Sequence, residues 1–356
     1  MGTSDRDVTS GVARAASRSS PTARIDPATM TENPFHRAIY LTGPTASGKS
    51  AVGVALARRL GAEVIAMDSA TLYRRMDIGT AKPTEAERGG IPHHVIDVIE
   101  PWESASVADF LGWARKAVAG IEARGRRALF VGGTALYLKA LLRGLFDGPG
   151  SDAELRRKLE AEAEAIGDAE MHARLTAIDP KSAARLHPND RRRVIRALEV
   201  HAITGRPLSD WQVEHHHVAP ATVPVIALEP PRDRLYERID RRVVGFFENG
   251  FVEEVRTLRD ADRPMSPIAA QAIGYREVLD MLEGQATLAE TIEHIQTRSR
   301  QFAKRQATWF RGLAEVRSLS VDPDARVEFL ADRLAGAIIG MNHKITETQR
   351  KTITDE

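Results

Sequence analysis

Gly43-Pro44-Thr45-Ala46-Ser47-Gly48-Lys49-Ser50 decides how this chain is read. The string fits G-x-x-x-x-G-K-[ST], and its neighbours fit as well. Residues 36–41, HRAIYL, read as a short apolar strand, and residues 51–60, AVGVALARRL, repeat apolar groups at helical spacing. Strand, glycine loop, helix is the order that a phosphate-binding loop requires. The backbone N–H groups of such a loop point inward and cradle phosphate oxygens. Lys49 is placed to reach a terminal phosphate, and Ser50 to offer its hydroxyl to a magnesium ion. The motif leaves open which phosphate compound binds and what is done to it.

Further strands follow the loop. EVIAMD (63–68) ends in an acid, HHVIDV (93–98) is a third run and RRALFVGG (126–133) a fourth. Between the last two, DFLGWARKAVAGIEARG (109–125) has a helical period and a glycine stop. This alternation predicts a mostly parallel sheet with ligand groups at the strand C-terminal ends, where Asp68 and the Gly132-Gly133-Thr134 turn fall. After residue 148 the pattern is helical to about 212. VPVIALEP (223–230) then returns as a strand and PRDRLYERIDRRVVGFFENG (231–250) as a helix. The expected fold class is therefore α/β, a P-loop NTPase-like core with a mostly parallel sheet, carrying an all-helical insertion domain. Its expected parts are a disordered extension (1–35), the first core part (36–148), the insertion (149–221), the second core part (222–318), and a C-terminal helix with a flexible tail (319–356).

Composition narrows the chemistry. The chain has 356 residues, 42% hydrophobic and 28% charged, enough for a large buried core. Its net charge of +1 makes nucleic-acid binding a matter of local basic surface. Zero cysteines exclude disulfides, thiolate chemistry and cysteine-rich zinc sites. The consecutive His215, His216 and His217 lack metal-ligand spacing and read as solvated loop. Apolar runs are too short to span a membrane, and the first 32 residues lack the apolar stretch of a secretory signal.

Three polar stretches remain to be explained. MDSATLYRRMDIGTAKPT (67–84) is unusually polar for the exit of a buried strand. Its Asp68 fits a helix cap, a magnesium-side carboxylate, or a general base on a nucleophile brought alongside the phosphate. Arg191-Arg192-Arg193-Val194-Ile195-Arg196 opens a helix after a natural cap, HPND. The long last helix of the core carries Arg298, Arg300, Lys304, Arg305 and Arg311 with no acid in 297–311, and Trp309 and Phe310 interleave with them. Such runs are either solvated faces or phosphate contacts.

Taken together, GPTASGKS, DSATLYRRMDIGTAKP, VGGTALYLKALLRGL, HPNDRRRVIRALEV, IGYR and AKRQATWFR closely resemble, in order and spacing, the bacterial tRNA dimethylallyltransferases, also called tRNA isopentenyltransferases. The resemblance covers about 37–315. Departures are small: Ser50 stands where threonine is commoner, and Arg74-Arg75 where Lys-Gly is frequent. The zinc finger of eukaryotic relatives is absent.

The resemblance implies transfer of a dimethylallyl group from dimethylallyl diphosphate to N6 of adenosine 37, beside the anticodon, in tRNAs reading codons beginning with U. The loop is then a diphosphate site, Gly43 to Ser50, that need not hydrolyse ATP, and magnesium is held at Ser50. Asp68 is implied as the base, Thr45 as a contact near the reacting bridge, and Arg276 and Arg305 as further phosphate contacts. The implied tRNA-facing groups are Asp68, Ser69, Ala70, Thr71, Thr134, Arg156, Arg192, Arg193, Val194, Ile195, Arg196, Gln271, Gly274, Tyr275, Arg276, Lys304, Arg305, Gln306, Trp309 and Arg311. The insertion would clamp the anticodon stem-loop around a base flipped into the core. A monomeric cytoplasmic enzyme without an obligate protein partner is expected. The rival readings are a small-molecule P-loop kinase and a non-catalytic, nucleotide-regulated RNA-binding protein.

Overall fold

Strand β1 (Ile39–Thr42) is buried at every position, and it lies inside a six-stranded sheet. The computed structural model describes residues 33–145, 148–213, 219–220, 222–322 and 324–354. The histidine run 215–217 and nearly all of the expected extension lie outside them. The other strands are β2 (Ala62–Ala66), β3 (His93–His94), β4 (Arg127–Val131), β5 (Val225–Glu229) and β6 (Arg317–Ser320). Their order is β3-β2-β4-β1-β5-β6, and every pairing is parallel, with Tyr40 beside Phe130 and Thr42 beside Ala227. β1 therefore sits where the chain's path across the sheet reverses, which is where open α/β sheets place ligands.

The helices before the all-helical stretch are α1 (Lys49–Leu60), α2 (Glu85–Arg88), α3 (Val107–Ala123) and α4 (Ala135–Arg143). The stretch itself holds α5 (Ala153–Ile166), α6 (Asp168–Ile178), α7 (Pro180–Ala183), α8 (Arg191–Thr204) and α9 (Leu208–Val213). After β5 come α10 (Arg232–Glu248), α11 (Phe251–Arg259), α12 (Pro267–Ala270), α13 (Tyr275–Leu282), α14 (Leu288–Arg311) and α15 (Val327–Thr354). Local chemistry sets several starts. Ser106 with Asp109 and Thr287 with Glu290 form reciprocal capping boxes for α3 and α14. Gly48, left-handed at φ 86, turns the chain into α1.

Two apolar clusters sandwich the sheet. One joins it to residues of α3, α4, α10, α11, α13 and α14, and the other to α1 and α15. A third, built on Met171, Leu175, Val194, Ile195, Leu198 and Leu208, belongs to the helical stretch alone. From Pro34 onward the chain nevertheless clusters as one compact unit, with no division at the edges of that stretch.

Some boundaries differ from the sequence reading. Residues 34–37 form a 3-10 turn, so β1 starts at Ile39. β3 stops after two residues because Val95 and Asp97 adopt positive φ, 58° and 56°. β6 is an unexpected strand, and α15 packs Leu330, Ala331, Leu334 and Ile338 against the sheet beside α1. The C-terminal segment is thus part of the core, and its helix runs on through the expected tail to Thr354.

Candidate active site

The C-terminal ends of β1, β2 and β4 converge beneath one cavity of about 1040 Å³. Thr45, Ala46, Gly48, Lys49 and Ser50 form one wall. The first N–H groups of α1 have no intrahelical partner, so this wall presents the positive end of a helix. Pro44 carbonyl accepts from Ser47 N–H at 3.2 Å and from Lys49 Nζ at 3.2 Å, which closes the loop on itself. Gly43 and Ser47 are buried beneath it. Burial pushes the Lys49 ammonium down to about 8; Asp68 opposes the shift and Arg242 adds to it.

Asp68 faces this wall from the exit of β2. Its Oδ1 accepts Ala70 N–H at 3.0 Å, and Ser69 N–H donates to Thr134 Oγ1 at 3.0 Å. The β4 exit can lie this close only because Gly132 lacks a side chain: a Cβ there would stand 2.0 Å from Met67 carbonyl. The loop that follows Asp68 is held from two sides. Lys82 Nζ, almost fully buried, donates to Tyr73 carbonyl, Asp77 and Asp97. Glu254 accepts the N–H groups of Asp77, Ile78 and Gly79 and the Tyr275 hydroxyl.

The opposite wall was not anticipated. α10 lines the cavity with Arg238, Arg241 and Arg242, spaced to share a helix face. A Cβ on Gly48 would lie 3.5 Å from Arg238 Nη2, which puts that guanidinium over the loop. Arg242 donates to Thr45 Oγ1 at 3.3 Å and stacks on Phe246 at 5.4 Å. Burial lowers its pKa from the ordinary arginine value; Asp68 opposes the shift and Arg238 reinforces it. The sequence signal was RIDRR at helical spacing, but charges all round this helix hid which face was inward.

The expected phosphate contacts Arg276 and Arg305 do not line the cavity. Arg276 pairs with Asp280 at 2.9 Å, and Arg305 lies exposed over Phe302. Several residues expected to face tRNA are also turned inward. Val194 and Ile195 are buried in the helical cluster. Gly274 is buried with its N–H on Glu277, and Tyr275 is fully buried with its hydroxyl on Glu254. Gln306 is 4% exposed and bridges Thr45 N–H to Gly133 carbonyl. Arg156 and Arg196 both donate to the buried Glu199 carboxylate at 2.7 Å.

Thr71 is buried on the cavity wall. Arg192, Arg193, Gln271, Lys304, Arg305, Trp309 and Arg311 are exposed, and so is Ser69, next to Asp68. Arg298 and Arg300 do find acids, from other helices: Glu277 and Asp240. No group of three or more His, Cys, Asp and Glu among the described residues is arranged to hold a metal ion.

The family model described as IPP transferase matches residues 71–313, and one described as isopentenyl transferase matches residues 37–96. A tRNA dimethylallyltransferase of Geobacter metallireducens is 46% identical over 81% of this chain and 93% of its own. One from Pelotomaculum thermopropionicum is 42% identical over 87% and 99%. Among solved structures, a full-length tRNA isopentenylpyrophosphate transferase from Bacillus halodurans is 40% identical, with TM-score 0.66 over 88% of this chain and 99% of that one. A eukaryotic dimethylallyltransferase, described as acting on tRNA, is 30% identical with TM-score 0.73, over 87% and 79%. With a parallel sheet, a phosphate-binding loop and this extent of likeness, the chain belongs to the IPP transferase family, whose curated relatives are named tRNA dimethylallyltransferase.

Proposed function

We propose that the protein transfers a dimethylallyl group from dimethylallyl diphosphate to N6 of adenosine 37 in tRNAs reading codons beginning with U. The supporting observation is the single cavity that sets Asp68 against Lys49, Arg238 and Arg242. The cationic wall receives the diphosphate, and its charges stabilise the negative charge that grows as the C–O bond breaks. The N6 lone pair forms the new C–N bond, and Asp68 takes the N6 proton. N6 is a weak nucleophile, its lone pair delocalised into the ring, so placement and a proton acceptor are what it lacks. Magnesium would be carried by the diphosphate and the Ser50 hydroxyl, where it adds to leaving-group stabilisation.

Reaching a stacked base requires flipping it into the cavity. In this reading the helical stretch 149–221 holds the anticodon stem, with Arg192 and Arg193 on phosphates, while Lys304, Arg305, Trp309 and Arg311 meet the loop. In this reading the enzyme acts as a monomer in the cytoplasm. The experiment is incubation with tRNA and either radiolabelled dimethylallyl diphosphate or γ-labelled ATP. Label should enter tRNA from the first alone. Phosphoryl transfer from ATP with no prenyl transfer would establish the kinase reading instead.

A further inference from the structure

Gln306 stands where three parts of this site meet. It projects inward from α14, whose outer face carries Lys304, Arg305 and Trp309. Its Oε1 accepts Thr45 N–H at 2.8 Å, and its Nε2 donates to Gly133 carbonyl at 2.8 Å. Gly133 leaves room for this: a Cβ there would lie 2.4 Å from Nε2, and 3.5 Å from Lys49 Nζ. The next residue, Thr134, accepts Ser69 N–H at 3.0 Å, immediately after Asp68. One run of bonds therefore connects the phosphate-binding loop, Gln306, the β4 turn and the residue beside the base. Its middle link needs one acceptor and one donor on the same planar group, and a side-chain amide has both.

We infer that Gln306 is a positioning residue: its amide sets the spacing between the phosphate-binding loop and Asp68, and so aligns the dimethylallyl carbon with the accepting amine. The inference rests on the transfer reaction proposed above. Burial argues against a direct RNA contact, since its amide is already occupied at both ends. Alignment errors of an ångström cost transfer rates about a hundredfold, so the bridge carries weight without touching substrate.

The test is Gln306→Glu beside Gln306→Met. A neutral carboxyl reproduces both bonds, its C=O accepting and its O–H donating. A carboxylate cannot donate, and turns Gly133 carbonyl toward a negative charge. The charged groups facing the position are Lys49 and Arg242 from the loop side and Asp68 beyond Thr134; Lys304 and Arg305 on its own helix point outward. Wild type has a pH dependence of its own, so the readout is the ratio of variant to wild-type single-turnover rate at saturating substrates.

That ratio should fall about a hundredfold near pH 8 for Gln306→Glu, and recover at least about tenfold near pH 6 as the carboxyl protonates. Gln306→Met should stay low at both, and tRNA affinity by filter binding should hold within a few fold for each. Thr134→Val cuts the next link at a half-buried residue, where folding is not at risk, and should slow transfer roughly 5–10-fold. A fully active Gln306→Glu near pH 8, a deficit the same at every pH, a loss lying wholly in tRNA affinity, or an unaffected Thr134→Val would each overturn the assignment. Wild type failing to transfer the group at all would overturn the reaction itself and the positioning role with it.

Discussion

Arg242 on α10 and Arg196 on α8 are both half-buried guanidiniums, and their surroundings could hardly differ more. Arg196 donates to Glu199 at 2.7 Å and to the carbonyls of Pro149 and Gly150, so its charge and its hydrogens are used within the fold. Arg242 has the Thr45 hydroxyl and the Phe246 ring, faces Lys49 and Arg238, and has no ion pair with any carboxylate among the described residues. A cation removed from water without an anion is costly, and a bound anion relieves that cost. The first arginine holds a structure together. The second is arranged for a ligand.

The most damaging change to the cavity should be the loss of its base. Asp68→Ala is expected to lower the single-turnover transfer rate by about 10²–10⁴ while tRNA binding stays within a few fold. Transfer measured beside filter binding separates the two. A near-normal rate would remove Asp68 from the proton step and leave the cavity as a binding site only.

Arg242→Gln comes next. It should reduce kcat/KM for dimethylallyl diphosphate by about 10²–10³, the usual cost of losing one preorganised group at a developing negative charge. Thermal stability should hold or rise, because a half-buried cation with no ion pair among the described residues has gone. Calorimetric titration with the diphosphate and a melting curve give both readings. Unchanged donor affinity and rate with a lowered melting temperature would make Arg242 the same kind of residue as Arg196.

The contrast also explains what was legible in the sequence. The loop 43–50, Asp68 and the Gly132-Gly133 turn could be read because each follows a short apolar strand, and strand ends are where such a sheet puts its chemistry. The helical stretch stood out by its missing strands. The partners of the arginines could not be read. Glu199 lies three residues after Arg196 and looks like a surface acid in RALEV, but tertiary packing buries it completely. Arg298 and Arg300 have no acid on their own stretch, and their partners come from α13 and α10. Tyr275 reads as an exposed contact in IGYR until Phe251 and Glu254 are brought against it. β6, RSLS, has too little apolar character to announce a strand; pairing with β5 makes it one.

Arg196→Ala sharpens the structural side. It leaves Glu199 buried with Arg156 as its remaining cation, and should cost about 1–3 kcal/mol in stability. Burial alone would raise the Glu199 pKa, but Arg196, Arg156 and Asp152 N–H outweigh it and hold it below the ordinary glutamate value. Its contribution is therefore fully present above the unfolded value of about 4.3 and is lost as pH falls through the lowered folded value. Denaturant melts of wild type should weaken across that acid window, and Arg196→Ala should weaken less steeply. Equal acid sensitivity in both proteins would mean that Arg196 does not set the charge state of Glu199.

The smallest effects belong to the exposed pair on the same helix. Arg192 and Arg193 lie at the start of α8, and among the described residues the one ion pair either makes is Arg193 with Asp190 at 3.4 Å, largely in water. Such a pair contributes about 0–1 kcal/mol, so replacing either arginine by alanine should leave stability almost unchanged. If each meets a phosphate of the anticodon stem, each replacement removes one counterion-releasing contact. The slope of log affinity for tRNA against log salt should then fall by a little under about one unit per residue, with donor binding untouched. Filter binding over a series of salt concentrations measures this directly. Arg196→Ala, assayed in parallel, should keep the wild-type slope despite its lower stability, because its guanidinium is held by Glu199 whether or not RNA is present. If instead Arg196→Ala lowers the slope and the Arg192 and Arg193 variants keep it, the assignment of inward and outward arginines on α8 is reversed, and the surface that meets the stem lies on the side of Glu199.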